Sequence, residues 1–254
     1  MTVNASAVPA SRWRNLEGPS GRTVPILVGE EFDALGVALS VGMFSYSEAY
    51  RFLFDFLEPG ATVLDLGAHI GTFTLAAASL GCRVVAFEAA PRNVSLLEAS
   101  VAANQFDLVT VVAAAVAAEP GTLRFRPEGA FGQVSDNPEL GDLVEVDAVT
   151  VPEALSRLGI SSVDAIKIDI EGSEPAALDG MASLLDEETA PVLVIEGNAH
   201  TLRHFGHTPE DVLARTEALG YRNLLFHAGQ LVEVTPRSVQ PRTVVDYLAI
   251  RRPD

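Results

Sequence analysis

Val63-Leu64-Asp65-Leu66-Gly67-Ala68-His69-Ile70-Gly71-Thr72-Phe73 decides how this chain is read. An apolar run carrying one acid gives way to two glycines four residues apart and then to a helical stretch. The pattern reads as a buried strand, a glycine turn and a helix. A second apolar run, Val84-Val85-Ala86-Phe87, ends in Glu88. That acid falls 23 residues beyond Asp65, about where a ribose-binding carboxylate stands in a nucleotide-binding βαβ unit.

The turn also discriminates among nucleotides. In the dinucleotide fingerprint G-x-G-x-x-G, the second glycine lets the backbone approach a pyrophosphate. Aligned on Gly67, this chain has His69 at that place and Thr72 at the third glycine, which disfavours a nicotinamide dehydrogenase. A donor carrying adenosine without phosphate needs close approach at Gly67 and Gly71, an acid for its ammonium group and another for its ribose hydroxyls. S-adenosylmethionine fits that description, with Asp65 and Glu88 as the acids and Ala68, His69 and Thr72 completing the turn. A bare G-x-x-x-G is a weak signal, because many strand-to-helix turns hold glycine for packing. It is the register of strand, helix and Glu88 that points to a nucleoside site.

The chain is long enough, at 254 residues, to bury one large core. Its apolar runs fall well short of a membrane span. Met1 to Ala10 lack the basic start and apolar stretch of a secretory signal, so the expected location is cytoplasmic. Cys82 stands alone, which rules out an internal disulfide and a multi-cysteine metal site; a small core residue is the expected role. A formal charge of −17 opposes binding to a phosphate backbone or an anionic membrane. The expected partner is a small-molecule acceptor, with no nucleic acid and no membrane; the pattern does not specify an oligomeric state. Lys167 is the only lysine, and the sequence gives it no particular task.

Strands and helices alternate along the rest of the chain, the signature of a mostly parallel sheet covered on both faces. The expected architecture is three-layered α/β. Residues 1–22 read as a mobile arm, and 23–254 as one domain whose first part, 23–58, is a β and helical extension ending in a helix from Ser47 to Leu57. Pro91 opens a helix with Val94, Leu97 and Val101 on one face. A third strand is expected over Val109 to Val116, a further β segment over Thr122 to Arg126 and a loop over 127–142, whose length suits a lid. Then come a helix from Val151 to Leu158, the strand Ala165-Ile166-Lys167-Ile168 ending in Asp169, a helix from Pro175 to Leu185, the strand Pro191 to Ile195 ending in Glu196, a helix from Pro209 to Leu219, and strands over 223–227 and 244–250.

Three segments together resemble one known family: Pro59-Gly60-Ala61-Thr62-Val63-Leu64-Asp65-Leu66-Gly67-Ala68-His69-Ile70-Gly71, then Phe87-Glu88, then Ile166-Lys167-Ile168-Asp169-Ile170-Glu171-Gly172-Ser173-Glu174-Pro175 with Leu178-Asp179-Gly180. They are similar to the FkbM family of S-adenosylmethionine-dependent methyltransferases over about Ser45 to Glu196. The glycine segment is shared with many class I methyltransferases, whereas K-I-D-x-E-G-x-E is the more family-specific string. His69 departs from the family, which usually carries asparagine there. The resemblance implies a Rossmann-like, seven-stranded, mostly parallel methyltransferase sheet and O-methylation of a sugar or polyketide-type natural product. Carried over by position, Asp65, Gly67, Gly71 and Glu88 hold the donor, Ala89 and Ala115 flank its adenine, and Glu48 faces the same cleft or is a solvated helix acid.

Methyl transfer from a sulfonium is an in-line displacement, so the protein must align the nucleophile and take its proton. Open α/β sheets bind ligands at the carboxyl ends of their strands, which brings forward Asp169, Glu171 and His200 as catalytic candidates. Asp169, Glu196 and Asn198 are similar in placement to the oxygen ligands of catechol-type O-methyltransferases, a set suited to Mg²⁺. Against this, acids at strand ends also cap helices and pair with backbone amides, and Glu171 or Glu174 are placed to do so. N-methylation of an amine and a non-catalytic adenosyl-binding module are the alternative functions.

Overall fold

A computed structural model describes residues 10–19, 21–29, 34–127, 132–134, 143–185, 190–238 and 244–251. Its elements in chain order are β1 (Ser11–Glu17), β2 (Thr23–Gly29), α1 (Ala34–Ser40), α2 (Glu48–Phe56), β3 (Thr62–Leu66), α3 (Thr72–Ser79), β4 (Arg83–Phe87), α4 (Pro91–Asn104), β5 (Val109–Val112), β6 (Ala115–Val116), β7 (Gly121–Arg126), β8 (Gln133–Val134), β9 (Val144–Val149), α5 (Val151–Leu158), β10 (Ala165–Ile168), α6 (Glu174–Gly180), α7 (Ala182–Leu185), β11 (Val192–Asn198), α8 (Ala199–His204), α9 (Pro209–Ala218), β12 (Tyr221–His227), β13 (Gln230–Val234) and β14 (Val244–Arg251).

The central sheet runs β13-β12-β14-β11-β10-β3-β4-β5. Strands β11, β10, β3, β4 and β5 are parallel, β14 is antiparallel to both its neighbours, and β13 folds back on β12. This is the expected mostly parallel sheet, with eight strands where seven were expected. Residues of β3 alternate between two cores, as strand geometry requires. Leu64 and Leu66 meet α5, α6 and α9 through Leu155, Leu178 and Val212, while Val63 meets α2 and α3 through Leu53, Phe73 and Ala76. Burial on both faces explains why these strands read as near-continuous apolar runs. Cys82 is buried in the second of these cores. None of the described helices is long and apolar enough to cross a membrane.

Several expectations are corrected. Part of the expected arm is a strand: Ser11–Glu17 pairs antiparallel with Thr23–Gly29, and Leu16 is buried against Ile26, Leu75 and Leu96. The expected third strand is two. Val109–Val112 stays in the central sheet, and after a tight turn closed by Ala114 N donating to Val112 O at 2.9 Å, Ala115–Val116 joins the sheet β6-β9-β7-β8. The apolar run is unbroken by Gly or Pro, so nothing in it signals the switch. The expected helix over 175–185 stops at Gly180, where a Cβ would stand 2.8 Å from Ala117 O. The 127–142 loop falls mostly outside the described residues; Gln133–Val134 within it pairs with β7.

Candidate active site

A cavity of about 430 Å³ opens at the carboxyl ends of β3, β4 and β10, where the chain leaves the neighbouring strands β3 and β10 towards opposite sides of the sheet, as at ligand sites in open α/β folds. The glycine turn forms its floor. Gly67 N and Ala68 N donate to Phe87 O at 3.0 and 2.8 Å, tying the turn to β4. Gly67 sits at φ +80, and a Cβ there would stand 1.9 Å from Asp169 O; the adjacent strand tip therefore demands glycine regardless of any ligand. Gly71, at φ +97, is not on the cavity wall. Its Cβ position is taken by Leu97 Cδ1 at 2.3 Å, so this glycine serves helix packing and not donor approach.

Glu88 is on the wall and is held from three sides. Its Oε2 accepts from His69 N at 2.7 Å, and its Oε1 accepts from Ala90 N at 2.8 Å and from Asn93 Nδ2 at 3.3 Å. A carboxylate has about four acceptor sites, so the fixed side chain keeps capacity towards the cavity. His69 adopts φ 53, which aims its amide at Glu88. On this side the wall is apolar, with Ala89, Ala115, Phe125 and Val134. Thr72, Ala68 and His69 also line the cavity.

Two expected donor contacts lie elsewhere. Asp65 is at 0% exposure and off the cavity wall. It accepts from Thr74 Oγ1 at 2.6 Å and pairs with Lys167 Nζ at 3.0 Å, so it touches the site only through that lysine. Glu48 is exposed in the first turn of α2, a position favoured by the helix dipole; Ser47 and Tyr50, beside it, line the cavity instead.

Lys167 is the residue the sequence left without a task. Its ammonium group also donates to Gly67 O at 2.6 Å and stands 3.6 Å from Asp169 Oδ2. It thus joins the glycine turn, the buried Asp65 and the acid on the next strand tip. Burial alone would lower its pKa, but the Asp65 and Asp169 charges outweigh that and hold it above the ordinary lysine value.

The far half of the cavity is acidic. Oxygens of Asp169, Glu171 and Glu196 lie within 4.8 Å of one another, and Asp246 from β14 lines the same end. Burial, reinforced by the neighbouring carboxylates, pushes Glu171 up to about 8 and Glu196 up to about 10. Asp246 is raised by burial as well, with the Ser47 hydroxyl opposing. Glu171 and Glu196 therefore do not ionise independently, because like charges at this range repel. Asp246 escaped the sequence reading; its only signal is an acid among the apolar residues of the last strand.

The histidine and asparagine candidates do not join this end. His200 is exposed on α8, its ring 4.7 Å from that of His204, and it is not on the wall. Asn198 caps α8, its Oδ1 accepting from His200 N at 3.1 Å. The three residues of the expected metal set are therefore not brought together: Asp169 and Glu196 lie with Glu171, and Asn198 does not join them. A short helix begins where the sequence was read as an open strand end, and the asparagine is spent on it.

The family model described as the methyltransferase FkbM domain matches residues 65–223. A curated relative, the 31-O-demethyl-FK506 methyltransferase FkbM of Streptomyces tacrolimicus, is 28% identical over 159 residues, 49% of this chain and 61% of the relative. The aligned region thus spans less than two thirds of that protein. Among solved structures, a TehB-like methyltransferase from Corynebacterium glutamicum aligns with TM-score 0.49 at 15% identity, covering 85% of this chain and 94% of that one. An O-methyltransferase from Bacillus cereus aligns with TM-score 0.47 at 12% identity, covering 85% and 86%. With the family model matched over more than half its length, the chain belongs to the methyltransferase FkbM domain family.

Proposed function

We propose that the protein uses S-adenosylmethionine to methylate a hydroxyl of a small molecule, of the sugar or polyketide natural-product kind. The observation that carries this is one cavity with two unlike halves, an apolar slot beside a fixed carboxylate and an acidic end at Asp169, Glu171 and Glu196. The residues fit the donor: Ala89, Ala115 and Phe125 offer a slot for a purine, and Glu88 retains acceptor capacity for ribose hydroxyls. The bound donor supplies an electrophilic methyl group. The name of the Streptomyces relative supports transfer to oxygen.

What the chain must add is alignment and removal of the hydroxyl proton. Glu171 lines the acidic end, and a carboxylate raised to about 8 is a far stronger base than an ordinary one. Its ionised form is available in mildly alkaline solution, where general-base catalysis gains most from such tuning. Lys167 supplies counter-charge beside Asp169. The same three carboxylates form a hard-oxygen set of the type Mg²⁺ takes.

The test is a mass-spectrometric screen of hydroxylated natural products with methyl-labelled S-adenosylmethionine, with and without magnesium and chelator. Label on an oxygen of the acceptor is the expected result; label confined to amines would replace this reading with N-methylation. Turnover that survives exhaustive chelation retires the metal. Glu171→Gln is expected to lower turnover by about a hundredfold or more while S-adenosylhomocysteine affinity stays within a few-fold.

A further inference from the structure

Glu174 is 1% exposed and does not line the cavity. Its Oε1 accepts from Ile170 N at 3.0 Å and from Gly172 N at 3.1 Å. Those two amides flank Glu171 on either side. Glu171 itself is held at φ 53, a left-handed conformation that a glutamate rarely adopts and that persists only where the surroundings impose it.

The rest of the turn offers no slack. Gly172 follows at φ +103, and a Cβ there would stand 2.5 Å from Thr201 O of α8, so the turn is pressed against that helix and cannot swell outwards. On the other side Asp169 N donates to Leu66 O at 3.1 Å, anchoring the turn to β3. Ser173, in the N-cap position of α6, makes no side-chain cap bond. The helix is served instead by an acid in its own first turn that reaches back across the preceding residues. The string D-x-E-G-x-E then has a division of labour: Asp169 ends the strand, Glu171 enters the cavity, Gly172 permits the close approach to α8, and Glu174 ties the two flanking amides together.

We infer that Glu174 is a positioning residue, clamping the Ile170–Gly172 turn from behind the cavity wall and so fixing where the Glu171 carboxylate stands at the acidic end. The clamp itself is independent of the reaction; that it serves methyl transfer rests on the function proposed above. Because one oxygen accepts both bonds, the acceptor geometry and not the charge is what the clamp requires, and glutamine keeps it.

The test is NMR spectroscopy of the full chain, comparing Glu174→Ala and Glu174→Gln with the unaltered protein. A positive φ brings the amide and α protons of a residue close, giving a strong intraresidue cross-relaxation peak. Glu171 and His69, both at φ 53, should each show it, so His69 is an internal control. In E174A the Glu171 peak is expected to weaken, and the Ile170 and Gly172 amides to exchange about tenfold faster or more, with the His69 peak unchanged. E174Q is expected to restore all three signals. Should E174A fail to fold, Glu174→Asp, one methylene too short to reach both amides, gives the same readout. Retention of the Glu171 peak and of slow exchange in E174A or E174D overturns the inference, as does loss of both in E174Q. Failure of the functional reading shows separately, as E171Q turnover equal to that of the unaltered enzyme.

Discussion

Lys167 shows how much one side chain can carry. It is buried between two carboxylates and donates to the carbonyl of the glycine turn. Lys167→Met leaves Asp65 buried with the Thr74 hydroxyl but without its cation, and removing one partner of a buried pair costs about 3–5 kcal/mol. The denaturant midpoint should fall accordingly. Adding Asp65→Asn should recover part of the loss, because no uncompensated charge then remains at that position. A loss below about 1 kcal/mol in the single variant would mean that water reaches Asp65. The sequence located both acids of the nucleoside motif but not that Asp65 lies off the cavity wall. Glu88 stands at a strand tip facing the cavity, whereas Asp65 points towards α3, where Thr74 meets it. Periodicity says which residues share a face, not which face carries the ligand.

Among the elements, the strand–turn–helix unit from β3 to α3 was legible because its cause is local. Its two glycines nevertheless answer to neighbours remote in sequence. Gly67→Ala drives a Cβ into the backbone of Asp169, at 1.9 Å, in a conformation already unfavourable for alanine, and the strand tip has no rotamer with which to yield. Gly71→Ala meets only the end of the Leu97 side chain. Both variants should lose stability, with Gly67→Ala the more severe and losing donor affinity together with folding. Thermal unfolding combined with S-adenosylhomocysteine calorimetry separates them. Normal stability with lost binding in Gly67→Ala would return that glycine to the donor-contact role. Other elements were hidden for stated reasons. Strand β13 follows a two-residue turn, Ala228-Gly229, in which alanine adopts φ 51, and alanine is not a turn signal. Helix α8 begins directly on the last residue of β11, leaving no loop to mark it.

At the scale of the whole molecule, the cavity gathers Ser47, Glu88, Ala115, Glu171, Glu196 and Asp246, residues spread over most of the chain. Their meeting follows from strand order, which local pattern does not encode, so the acidic end could be anticipated only in part, from the rule that ligands bind at strand tips. That end, together with Glu174 behind its wall, has a cost for folding. Burial and mutual repulsion raise Glu174 to about 7, Glu171 to about 8 and Glu196 to about 10. Each holds its proton in the folded protein over a pH range in which the unfolded chain has released it. The native state therefore binds more protons, and stability falls as pH rises from the ordinary carboxylate range through these folded values. Lys167, raised in the opposite chemical sense, loses its contribution only above the ordinary lysine range, outside this window. The thermal midpoint should thus decline from about pH 5 to about pH 9. Glu196→Gln removes the most strongly raised acid, so its decline should be shallower and its midpoint at about pH 9 higher than that of the unaltered protein. A midpoint that climbs across this range, or a Glu196→Gln protein no more stable at its alkaline end, would mean that water reaches these acids.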